Sequence, residues 1–353
     1  MLLPLRDLKI SEISVALPEQ MQFVNELAFD WSAEDCARVI KTTGIAKMPV
    51  LGSAQTILDL AESAVRPLFY SDSNLIRRSS IDSIIFITPS PDYLNPGNSL
   101  LLANRMNWEI RGPHFDLSYG CSGIAYGLLQ CALLFGYPES IGQRVDTILL
   151  VIGESGSKAC HPMDRSTRVL FGDAAAALLI ERSPGALNWI DVGSQPSRIW
   201  TLIHHGSATR PLPEHLTEQK LEMRGTELMS FIAECVPRSI EGLLQHLGLN
   251  SKELSIACFH QASLIVVEFL KRKLNLRIEQ VPLSLSKYGN TGNASQLVTL
   301  VDHVSKSDQM VKWSAEHVLM SGFGAGLSWG TTIMNFDDCL IHPISRLSSK
   351  ARS

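Results

Sequence analysis

This chain reads as an α/β protein whose sheet is covered by helices on both faces. Three observations predict that class. Short β-branched runs alternate with helix-length segments, those runs are apolar throughout rather than on alternate residues, and the order of parts occurs twice. The opening "MLLPLRDLKISEISVALPE" predicts a strand by its alternation, and it lacks the basic n-region and cleavage site of a secretory signal. "IDSIIFITPSPD" predicts a short buried strand closed by a Pro/Asp loop. "SLLLANRM" then reads as helix, "HFDLSYG" as strand, and a helix opens at Cys121. "TILLVIGES" is a further strand, and "RVLFGDAAAALLIER" reads as two strands joined by a Gly-Asp turn.

The same order returns. "LSIACFHQ" predicts a buried strand and "SLIVVEFLKRKL" an amphipathic helix with apolar residues at about 3.6-residue spacing. "YGNTGNASQLVTLVDHV" opens a helix from a small polar turn, and "HVLMSGFGAGLSWGTTIM" predicts two strands around a glycine turn. Landmarks near 84, 121 and 171 thus recur near 256, 290 and 322. The expected units are residues 1–185 and 186–336, divided near "SPGALNW", with a tail at 337–353 for which the sequence offers no reading.

With 353 residues, 45% hydrophobic and 19% charged, the composition is that of a soluble globular protein with ample core. A net charge of -4 gives no footprint for nucleic acid or an anionic membrane. No apolar run approaches the roughly 18 residues a membrane span needs, and the expected compartment is the cytoplasm. The seven cysteines are odd in number and form no CxxC pair, which argues against a disulfide framework and a zinc site. His204 and His205 in "LIHHG" read as a loop or surface pair.

Three polar groups stand out. Cys121 follows Gly120 at a predicted helix N-terminus, where unpaired N–H groups and the helix dipole lower a thiol pKa, although a buried inert thiol is the commoner fate of such a residue. His260 ends a buried strand, where a satisfied core histidine is the ordinary reading; Asn290 lies in "YGNTGNAS", where a cap or turn is. Together they occupy strand ends and helix starts, where α/β sheets place ligands, and thiol, imidazole and amide make a coherent acyl-transfer set. "GFGAGLSWG" does not satisfy G-x-G-x-x-G, "GESGS" and "GCSG" are not G-x-S-x-G, and no Walker A loop occurs.

The stretches "GCSGIAYGL", "DRSTRVLFGDAAAALLIE", "HQAS", "YGNTGNAS" and "GFGAGLSWG", in this order, resemble the thiolase-fold condensing enzymes of the ketoacyl-acyl-carrier-protein synthase III family. The resemblance implies a five-layered αβαβα sandwich of two similar halves, normally a homodimer, with no metal or tightly bound cofactor. It implies that Cys121 accepts an acyl group from a thioester, and that His260 and Asn290 hold the thioester carbonyl of the second substrate. The backbone N–H groups of Cys121 and Ala325 match the family's oxyanion hole, and Arg165 and Asn293 are carried as substrate-binding positions. Acyl carrier protein, coenzyme A thioesters or both are the implied partners.

The departures concern recognition. Arg38 and Thr42 stand where the family carries a Trp and an Arg around the coenzyme A adenine, Ile265 replaces a docking arginine, and Asn293 is added to the asparagine loop. Lys271, Arg272 and Lys273 on the helix after His260 form a basic cluster suited to an acidic carrier, or merely to the helix C-terminal dipole. The expected function is a condensing acyltransferase of a specialised pathway making polyketides, quinolones or related products. The alternatives are the initiation enzyme of fatty-acid synthesis and a silent subunit of a heterodimer.

Overall fold

The computed structural model describes residues 1–27, 30–71, 74–75, 81–110, 112–136, 144–205, 212 and 220–348. Strand β1 (Leu2–Pro18) is followed by β2 (Met21–Phe23), helix α1 (Ala33–Thr43), β3 (Lys47–Pro49) and α2 (Ile57–Phe69). After the pair β4 (Tyr70–Ser71) and β5 (Asn74–Leu75) come β6 (Ser83–Ile87), α3 (Asn98–Arg105), β7 (His114–Leu117), α4 (Gly123–Phe135), β8 (Thr147–Ser155), α5 (Gly156–Ala159) and β9 (Asp173–Ser194). Then follow β10 (Leu202–His205), β11 (Lys220–Met223), α6 (Gly225–Leu247), β12 (Ile256–Phe259), α7 (Leu264–Lys273), α8 (Leu285–Tyr288), α9 (Ser295–Val304), β13 (Val311–Gly324), β14 (Ser328–Ile341) and β15 (Ser345–Leu347).

The main sheet runs β12-β13-β14-β1-β9-β8-β6-β7, with β15 added on β1. Its strands are apolar on both faces because each face meets a different core. In β6, Ile85 and Ile87 pack toward α4 and α9, while Ile84 and Phe86 pack toward α2 and α3. In β12, Ile256 and Cys258 join the α4/α9 core, while Ala257 and Phe259 join the core of α6 and α7. Helices α4 and α9 therefore lie between the two ends of the sheet, with α2 and α3 outside one end and α6 and α7 outside the other. This is the five-layered thiolase fold.

One detail differs from the sequence reading and two add to it. "RVLFGDAAAALLIER" contains one strand, not two: residues before Asp173 form turns, and Phe171 contributes a single bridge, to Asn290. The expected domain boundary falls inside β9, at a bend where Gly185 has a φ of 87°. There the strand exchanges partners: the segment from Asp173 to Glu181 pairs with β8, and that from Trp189 to Ser194 pairs with β14. The tail enters the sheet: β14 continues to Ile341, and β15 runs parallel to β1 with Ala16 opposite Ser345. Residues 349–353 lie outside the described residues. Among the described residues, no helix is long and apolar enough to cross a membrane.

Candidate active site

Strand β7 delivers the chain to a turn at Cys121 and Ser122, and α4 begins at Gly123, two residues later than the sequence suggests. No side-chain bond caps this helix. Packing holds it instead. Ile124, Leu128 and Phe135 are almost wholly buried, at about 1.5–3 kcal/mol each, which outweighs the ~1 kcal/mol of an N-cap. Gly127 lets α4 press on the sheet, since a Cβ there would stand 2.5 Å from Ile87 Cδ1.

The Cys121 sulfur lies against the backbone N–H groups of Cys121 and Ala325. The β13–β14 turn closes over it: a Cβ on Gly324 would stand 2.9 Å from Sγ, and Ser122 Oγ lies 2.8 Å from Ser328 Oγ. The expectation of a lowered thiol pKa is overturned. Burial pushes the thiol up, the nearby Glu154 adds to that, and the two N–H groups offset only part of it. Cys121 is 6% exposed, so desolvation exceeds what the helix start supplies. All seven cysteines carry free thiols.

His260 follows β12, and its N–H donates to Ser321 O at 2.8 Å. Its Nδ1 is 2.7 Å from Ser295 Oγ at the start of α9, and its ring meets Phe323 edge-on at 5.6 Å. Burial pushes its pKa down to about 4, against a smaller upward effect of the Gly292 backbone, so the imidazole is neutral at neutral pH. Asn290 is fixed by its backbone, whose N–H donates to Leu170 O at 3.0 Å and whose carbonyl accepts from Gly172 N–H at 2.9 Å. The Gly292 N–H donates to Asn290 Oδ1 at 3.0 Å, which makes the NH2 the outward-acting end of the amide.

These contacts link the three groups through shared neighbours. Phe171 bridges to Asn290 and shares a cavity of about 90 Å3 with Cys121. Gly292 contacts both Asn290 and His260, and Phe323 packs on His260 immediately before Gly324 reaches Cys121. Glu154, Leu202, His204 and Ala325 also line the cavity; His260 and Asn290 are not among its lining residues. His204 and His205, expected as a loop or surface pair, lie on β10; His204 is an exposed surface residue that borders the cavity, while His205 pairs with Glu222 at 3.1 Å.

The remaining predicted positions are redistributed. Asn293 is fully buried, and its Nδ2 donates to Ile87 O, Gly153 O and Tyr119 O at 3.2, 3.2 and 3.4 Å, so it ties strand ends together instead of offering its NH2 to substrate. In the expected basic cluster, Lys271 pairs with Glu268 at 2.6 Å and Arg272 lies 3.9 Å from the same carboxylate. Arg272 and Lys273 line a separate groove of about 580 Å3 with Lys41, Thr42, Leu264 and Ile265. Arg38 contacts Glu34 and Asp35 on its own helix at 3.5 and 3.8 Å. Arg165 stands 5.8 Å from the ring centre of Trp31, a residue the sequence reading passed over because it lies seven positions before the expected tryptophan site.

The family model for 3-oxoacyl-(acyl-carrier-protein) synthase III matches residues 115–195, and the model for its C-terminal part matches residues 244–336. The chain is 30% identical over 304 residues to β-ketoacyl-(acyl-carrier-protein) synthase III 2 of Lactiplantibacillus plantarum, covering 83% of this chain and 88% of that one. It is 28% identical over 347 residues to a putative 3-oxoacyl-(acyl-carrier-protein) synthase 3 of Campylobacter jejuni, covering 94% of each. The crystal structure of a 3-oxoacyl-(acyl-carrier protein) synthase from Burkholderia xenovorans superposes with a TM-score of 0.84 over 99% of both chains, at 23% identity.

Proposed function

The chain belongs to the 3-oxoacyl-(acyl-carrier-protein) synthase III family of thiolase-fold condensing acyltransferases, and from that premise we propose a two-step reaction at Cys121. In the first step the thiol takes an acyl group from a thioester. In the second, a thioester-bound acceptor attacks the acyl-cysteine in a Claisen-type condensation. The single observation that carries this reading is the Cys121 sulfur packed under the Gly324–Ala325 turn, where its own and Ala325's backbone N–H groups favour negative charge. Once an acyl carbon is bonded to that sulfur, its carbonyl oxygen would lie beside the same donors, and fixed donors act most strongly where negative charge develops. A neutral His260 and the Asn290 amide then hold the acceptor's carbonyl oxygen as its enolate forms.

The cavity beside Cys121 is small, about 90 Å3, which favours a short acyl group. The Trp31–Arg165 pair offers an aromatic face and a cation for a nucleotide base, which favours a coenzyme A thioester as donor. Arg272 and Lys273 in the groove beside His260's downstream helix favour an acidic carrier for the acceptor. The names of the relatives favour the general synthase III reaction. Incubation with acyl thioesters on coenzyme A and on carrier, followed by intact-mass measurement, tests the proposal. The expected result is a short-chain adduct confined to Cys121; an adduct on another cysteine, or none with any thioester, refutes it.

A further inference from the structure

Glu154 lies next to the end of β8 and has no part in the three-residue arrangement above. Its Oε2 accepts the Asn293 N–H at 3.0 Å. A Cβ on Gly292 would come within 2.1 Å of the same oxygen, so only glycine lets the carboxylate seat against this turn. From there it lines the small cavity together with Cys121.

Resting on the acyl-transfer reading above, we propose that Glu154 is the proton acceptor for the Cys121 thiol during acylation, and the proton donor to the thiol that leaves. As the sulfur–carbon bond forms, the thiol proton passes to the Glu154 carboxylate. The tetrahedral adduct then expels the donor's thiolate, which takes that proton. Acyl-Cys121, a free donor thiol and an ionised Glu154 remain, so atoms and charge balance.

The neighbours explain why this group fits the task. Burial disfavours the Cys121 thiolate, so a proton acceptor is needed. His260 is a poor one, with its pKa pushed down to about 4 and Nδ1 engaged by Ser295. Around Glu154 the titratable groups are Cys121, His204 across the cavity, and Asp173 on β9, whose carboxylate accepts from Leu51 N–H, Ser157 N–H and Ser157 Oγ. Burial and Asp173 raise Glu154 to about 7, with the Asn293 N–H opposing them. A group with that proton affinity both takes and returns a proton at neutral pH. His204 borders the cavity from an exposed position, and partial desolvation and His205 move its pKa below the ordinary histidine value.

The test uses the whole chain and two reagents. Glu154→Gln keeps an acceptor for the Asn293 N–H but cannot take a proton. Single-turnover acylation of Cys121 by acyl-CoA thioesters, followed by intact mass, is expected to rise with pH through about 7 to a plateau in the wild type. In Glu154→Gln it is expected to fall by about 100-fold or more and to lose the plateau. Iodoacetamide labelling of Cys121 needs the same proton removed and should slow in the variant as well, with its own inflection near 7 lost. Acylation of the variant at or above the wild-type rate overturns the proposal, as does a wild-type profile with no inflection near 7. Slowed acylation that keeps the inflection near 7 in Glu154→Gln makes Glu154 a structural residue and overturns it too. If no thioester loads the wild type while iodoacetamide still labels Cys121, the acyl-transfer reading itself has failed and this inference falls with it.

Discussion

Cys121 and His260 stand at strand ends on opposite sides of α4 and α9, yet they are held by different means. The cysteine is placed by backbone: a packed helix without a side-chain cap, two N–H groups on the sulfur and a glycine turn pressed over it. The side chains of the histidine and Asn290 are oriented by hydrogen bonds with small groups, His260 Nδ1 with Ser295 Oγ and the Asn290 amide oxygen with the Gly292 N–H. A nucleophile that must change its bonding needs space and direction, which backbone supplies. Donors that act on a passing oxygen need a fixed orientation, which hydrogen bonds supply. The two regions should therefore fail differently when altered.

The largest effect is expected at the cysteine itself. Cys121→Ala abolishes the acyl adduct, measured by intact mass; a residual adduct at full stoichiometry would show that the backbone cradle serves a different group. Gly324→Ala comes next, because its Cβ would stand 2.9 Å from Sγ and 3.1 Å from the Cys121 Cβ. At about 1–3 kcal/mol for overpacking, acylation should slow roughly 5- to 150-fold, with the reaction after loading less affected. Ser295→Ala tests the other mode of support: it frees His260 Nδ1, and at about 1–3 kcal/mol for a buried polar group left unpaired the transfer step should slow while loading stays near normal.

The smallest effect is a pH response of stability. His260 has a folded pKa of about 4, below its ordinary 6.5, so the folded state binds fewer protons than the unfolded. Its contribution is present above 6.5 and is lost as pH falls toward 4. Urea unfolding of His260→Gln across this window should fall less steeply on acidification than that of the wild type. Parallel curves would place the acid sensitivity elsewhere.

The strands, the nucleophile turn and the asparagine loop are legible in the sequence because each is written in a short local string. "SIIFI" is a doubly buried strand whichever way it faces, and "GNTGNAS" opens a helix whatever packs on it. What was not legible depends on distant partners. Cys121's high proton affinity comes from the protein closed around it and from Glu154, 33 positions later in the chain. Asn293 looked like a substrate contact until three carbonyls from β6, β8 and the residue before Gly120 met its NH2. The pairing of Trp31 with Arg165 joins segments more than 100 residues apart, and β15 makes sense only beside β1.

The central claim, that backbone serves loading and the hydrogen-bonded pair serves transfer, is tested most directly by measuring the two half-reactions separately in His260→Ala and Asn290→Ala. Loading is read by intact mass with donor thioester alone, and transfer by disappearance of the acyl adduct after the acceptor is added. The expected result is loading within a few-fold of wild type and transfer slowed roughly 100- to 1000-fold, the usual loss for one oxyanion donor. Loading abolished by either substitution, or transfer unchanged by both, contradicts the account.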